Sequence, residues 1–84
     1  MKRLVDAEAE ISPEVMLDIP FITISGDMKF FIENYLGIIS FSEKDVKINT
    51  KSAIVKITGE NLSLYNITDE FISVGGKIKA IEFI

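Results

Sequence analysis

Val46-Lys47-Ile48-Asn49-Thr50, then Lys51-Ser52, then Ala53-Ile54-Val55-Lys56-Ile57-Thr58 is the stretch that decides the fold. Val46, Ile48 and Thr50 alternate with Lys47 and Asn49, and Val55 and Ile57 alternate with Lys56 and Thr58. A period of two sends one set of side chains to a buried face and the other to water, the pattern of a half-buried strand. A connection this short joins antiparallel neighbours. The whole chain leans the same way: fifteen residues are isoleucine, against five leucines and five valines. Side chains branched at Cβ are stiff at χ1 and fit a pleated surface better than a helix.

Working outward, Phe21-Ile22-Thr23-Ile24-Ser25 stops at Gly26-Asp27, a pair suited to a tight turn. Residues 29–35 form a second run, Gly37 interrupts, and Ile39 and Phe41 continue at alternate spacing before the polar turn Ser42-Glu43-Lys44-Asp45. Beyond Thr58, Gly59-Glu60-Asn61 reads as a turn into Leu62 and Leu64. Asp69-Glu70 separates that run from residues 71–74, and Gly75-Gly76 leads into a last strand over 78–83. The expectation is an all-β fold of about eight short strands in an antiparallel meander, a small sandwich or roll. Gly26, Gly37, Gly59, Gly75 and Gly76 are expected at its turns. A weak self-similarity between Ile57-Thr58-Gly59-Glu60-Asn61-Leu62 and Val74-Gly75-Gly76-Lys77-Ile78 keeps a short β-solenoid as the alternative.

The 84 residues are enough for one small core. Residues 1–18 hold two bases and five acids, and the remaining residues seven bases and eight acids, so the acidity sits in an N-terminal arm. Within that arm Ser12-Pro13-Glu14 is a helix-start signal, and Asp18-Ile19-Pro20 ends the turn it starts. The predicted organisation is an acidic arm with a short helical turn over 1–18 and a single β-domain over 19–84. Acids follow Lys2 and Arg3 where a signal peptide needs an apolar stretch, and no apolar run is long enough to span a membrane. A cytoplasmic protein is expected.

Chemistry is constrained by what the chain lacks. With no cysteine and no histidine, thiolate zinc sites, imidazole ligation, and Cys–His or Ser–His catalysis are excluded. Asp27, Glu43, Asp45 and Asp69 lack the spacing of a calcium loop, and Gly75-Gly76 precedes a strand, not the helix N-terminus of a phosphate-binding loop. Neither a cofactor nor a small-molecule substrate is expected. Hydrolysis would need a carboxylate perturbed within a concave pocket, and no spacing singles one out. Aromatic residues are more informative. Phe30 and Phe31 must face opposite sides of one strand, and Tyr35 shares the parity of Phe31. Phe71 is apolar at a solvent parity, and Glu33 interrupts the apolar run. Phe31, Glu33, Tyr35 and Phe71 are therefore the candidate partner-binding residues, unless both faces of the strand are buried. Unpaired strand edges add the possibility of self-association.

Two resemblances bear on function. Val55-Lys56-Ile57-Thr58-Gly59-Glu60-Asn61-Leu62 is similar to the second signature of Sm-like RNA-binding barrels, but threonine stands where that family has a basic residue before the glycine. The chain has a single arginine, so the electrostatic basis for RNA or other nucleic acid is missing. The broader resemblance runs through Asp18-Ile19-Pro20-Phe21-Ile22-Thr23-Ile24-Ser25-Gly26, Ile32-Glu33-Asn34-Tyr35-Leu36-Gly37-Ile38-Ile39, Ile48-Asn49-Thr50, Ile57-Thr58-Gly59-Glu60-Asn61-Leu62, Gly76-Lys77-Ile78 and Ile81-Glu82-Phe83. In order and spacing these segments resemble the YabP/YqfC family of sporulation proteins, most closely its YqfC branch. One departure is Lys51-Ser52-Ala53, where the family tends to have a glycine. The resemblance implies a non-enzymatic protein of endospore formers, made in the mother cell, encoded beside a membrane protein and needed for efficient spore formation or coat assembly. Joined to the exposed aromatics, it suggests a scaffold or adaptor docked on that membrane protein at the forespore surface. The alternative is a self-assembling structural protein of the spore envelope.

Overall fold

A computed structural model describes residues 18–84. Six strands appear: β1 (Phe21–Ser25), β2 (Lys29–Glu33), β3 (Gly37–Phe41), β4 (Asp45–Asn49), β5 (Ile54–Tyr65) and β6 (Phe71–Phe83). They make one open antiparallel sheet in the order β1-β2-β6-β5-β4-β3. The all-β antiparallel expectation holds, and the arm expected over 1–18, with its short helical turn, lies outside the described residues except for Asp18. Among the described residues the strands number six, not about eight, because two of the expected turns are bends inside long strands. Gly59-Glu60-Asn61 is a bulge within the twelve residues of β5, and Gly75-Gly76 lies within the thirteen of β6. Gly26 does sit in a turn with φ +58°, whereas Gly37 opens β3.

Nor is the sheet a plain meander, since β2 pairs with β6 across the intervening chain. The result is two halves built alike. In the first half, β1 and β2 lie beside residues 71–75 of β6, which pair in turn with 63–65 of β5. In the second half, β3 and β4 lie beside residues 54–58 of β5, which pair with 80–83 of β6. Each hairpin turn clasps the bend of its long strand. Gly76 and Ile78 donate their N–H groups to the carbonyls of Met28 (3.3 Å) and Asp27 (2.7 Å). Gly59 and Leu62 donate to those of Lys44 (2.9 Å) and Glu43 (2.8 Å). The similarity between the two glycine motifs is thus that of two equivalent bends, and it does not indicate a solenoid.

The bends press against each other. A Cβ on Gly59 would lie 2.0 Å from the Lys77 carbonyl oxygen, and one on Gly76 2.6 Å from that of Asn61. Gly76 also has φ +125°, which side-chain-bearing residues rarely adopt. Bending brings the core-facing sides of both halves into one buried cluster: Phe30, Ile32, Ile72 and Val74 from the first, Val46, Ile48, Val55 and Ile57 from the second, with Leu62 and Ile78 from the bends. Each fully buried branched or aromatic side chain contributes roughly 1.5–3 kcal/mol. The turn after β4 is held by Thr50, whose hydroxyl donates to the Ala53 carbonyl (2.6 Å) and accepts from the Ala53 N–H (3.0 Å).

Candidate protein-interaction face

The site follows from which residues alternate with the core. In β2, Phe30 and Ile32 are buried, so Phe31 points to the opposite, outer side together with Lys29 and Glu33. Register sets Phe31 beside Thr23 of β1 and Ser73 of β6, and Ser73 beside Tyr65 of β5. One rung along, Glu33 lies between Phe21 and Phe71. Four aromatic side chains, Phe21, Phe31, Phe71 and Tyr65, therefore share the outer face of the first half. The rings of Phe31 and Phe71 lie 5.0 Å apart at 39°, a favourable tilted contact. Tyr65 covers Gly75, where an added Cβ would lie 2.9 Å from the ring. Beneath them Ser73 is buried, while Phe21 stays 46% and Tyr65 39% exposed.

Tyr35 is not part of this face. Asn34 takes φ 66° immediately after β2, a conformation asparagine tolerates better than most residues, and so breaks the alternation on which the shared parity of Phe31 and Tyr35 depended. Tyr35 packs against the core cluster, and its hydroxyl donates to the Thr68 carbonyl. Of the four sequence candidates, Phe31, Glu33 and Phe71 come together, with Glu33 exposed. Phe21 and Tyr65 are additions. Tyr65 was legible as the continuation of the Leu62, Leu64 alternation, which makes Ser63 and Tyr65 the outward pair. The place of Phe21 beside Glu33 depends on the β1–β2 register, and that of Phe71 on the long-range pairing of β6.

The second half supplies an internal control. Its register aligns Lys47 with Phe31, Lys56 with Ser73, Glu82 with Tyr65, and Ser40 with Thr23. In that half the equivalent outer rung carries two lysines, a glutamate and a serine. The same pleated geometry thus tolerates charge, and packing within the sheet does not require aromatics on the outer face. Phe21 and Tyr65 thus leave exposed aromatic area on this face that the equivalent rungs of the second half do not carry.

Charged groups elsewhere have ordinary surface roles. Lys77 reaches Asp27 at 2.6 Å and Lys79 reaches Glu60 at 2.7 Å, pairs that sit beside the two bends. Hydrogen bonding and attraction from the lysines hold both carboxyls below their usual range, and Asp27 raises the Lys77 ammonium. Among the described residues no concave pocket forms, and no three Asp or Glu side chains converge as a metal site would require. No helix among them is long and apolar enough to cross a membrane.

Residues 20–84 match the YabP family. The chain is 34% identical over 84 residues to the uncharacterized protein YqfC of Bacillus subtilis (strain 168), a similarity covering 100% of this chain and 90% of that protein. No solved structure matches it. By both comparisons the chain belongs to the YabP/YqfC family.

Proposed function

We propose that the chain is a non-enzymatic adaptor of sporulation that docks through the outer face of its first half on a membrane-protein partner. Family membership supports the coarse part of this reading, a small sporulation-related protein. The finer part rests on one observation: at the rung of Phe31 and Tyr65 two halves of the same build differ on their outer faces, aromatic in one and charged in the other, while at the next rung Phe21 and Phe71 correspond to Gly37 and Ile54. Phe31 and Phe71 supply a paired aromatic anchor, Phe21 and Tyr65 extend it, and Ser73 and Glu33 are the polar groups between them. Aromatic anchors with a few polar neighbours are the usual energetic centre of a protein interface. The partner is the membrane protein encoded beside members of the family, and the chain works from the mother-cell cytoplasm as a peripheral protein of the forespore membrane.

The test is localisation of a fluorescent fusion in sporulating cells, with and without the neighbouring membrane protein. A shell around the forespore that becomes diffuse on deletion of the neighbour is expected. Diffuse signal in both strains, or a shell that survives the deletion, contradicts docking on that partner.

A further inference from the structure

The sheet is open, and among the described residues nothing pairs with the outer edge of β3. An unpaired edge presents free N–H and C=O groups to any extended chain, and proteins commonly guard such edges with charge or proline. Gly37-Ile38-Ile39-Ser40-Phe41 carries neither; its one irregularity is a bulge between Ile38 and Ser40, which also puts Ile38 and Phe41 on the same side of the sheet. Ile38, Ile39 and Phe41 are 37%, 49% and 47% exposed. Ile38 and Phe41 pair with the buried Ile48 and Val46, so both lie on the core-facing side of the sheet and their exposure is a gap in the cover of the core.

We propose that β3 pairs antiparallel with β3 of a second copy, making a twofold dimer with a continuous sheet. The choice of occupant rests on self-complementarity. With the twofold axis between Ile39 and Ser40, Ile38 of each copy falls opposite Phe41 of the other. Two isoleucine–phenylalanine cross-strand pairs then form on the side that continues the core, a favourable type of contact. Ile39 falls opposite Ser40, so no charge is buried at the seam. The other sheet edge, β1, is entered directly from the acidic residues 1–17, whereas β3 is flanked by short loops within the described chain. This surface is separate from the aromatic face of the first half. A dimer presents two such faces, and binding to partners confined in one membrane then gains by effective concentration. A five-residue edge is small beside the roughly 1,200–2,000 Å² of standard stable interfaces, so the dimer is expected to depend on concentration.

Sedimentation equilibrium of the full chain tests this, with circular dichroism to verify the fold of each variant. The wild-type mass should rise from monomer to dimer with concentration. Ile38→Lys, and independently Phe41→Lys, should keep the chain monomeric over the same range, while Thr23→Lys on the β1 edge should leave dimerisation unchanged. A wild-type mass that stays monomeric throughout overturns the proposal. So does a dimer that survives both β3 substitutions in folded protein, or one abolished only by Phe31→Ser. None of these results depends on the identity of the membrane partner.

Discussion

Phe31 and Lys47 occupy equivalent rungs in the two halves of the molecule. Each is the central residue of the second strand of a hairpin, flanked by two fully buried side chains, Phe30 and Ile32 or Val46 and Ile48. Each is paired across to a long bent strand, at Ser73 or at Lys56. The inward residues are interchangeable in kind because both halves fill one core. The outward residues are not, and the core does not dictate them. The comparison separates the inward residues, which one core requires of both halves, from the outward residues at this rung, which are aromatic in one half and charged in the other.

The largest expected effect tests the equivalence of the two halves. Gly59→Ala and Gly76→Ala both drive a Cβ into the backbone of the opposite bend, and each should cost about 3–5 kcal/mol, read from urea unfolding. A loss below about 1 kcal/mol at either site would show that the two bends are not equivalent constraints. A smaller effect sharpens the boundary of the aromatic face. Tyr35→Phe removes the hydroxyl that donates to Thr68 and should cost about 0.5–1.5 kcal/mol, with localisation unchanged. Loss of the forespore shell in a stable Tyr35→Phe protein would return Tyr35 to the contact surface.

The strand-forming segments are readable in the sequence because period-two alternation is a local property. Val46-Lys47-Ile48 and Val55-Lys56-Ile57 announce themselves, and the polar turns at Ser42-Glu43-Lys44-Asp45 and Lys51-Ser52 fall where alternation says they should. Glycine is ambiguous, since it serves equally in a turn and where one backbone approaches another. Gly59 and Gly76 do the latter, and only the packing of β5 on β6 reveals it. The two similar glycine motifs were visible, but their meaning as paired bends depended on the hairpin turns that clasp them. Phe31 and Phe71 were identifiable as outward apolar residues. Their contact was not, because it requires β2 to pair with a strand nearly forty residues on. Tyr35 was misplaced by a single backbone angle at Asn34, which alternation cannot foresee.

The central claim is that the outer aromatics serve contact and not folding. The most direct measurement compares two double variants as fluorescent fusions in sporulating cells, with thermal unfolding of the purified proteins alongside: Phe31→Ser with Phe71→Ser, and Lys47→Ser with Lys56→Ser. Both proteins should fold cooperatively, the aromatic variant losing about 2–4 kcal/mol for its half-buried rings. Only the aromatic variant should become diffuse in the cell. A forespore shell retained by the folded aromatic variant, or lost equally in the lysine variant, would contradict the claim.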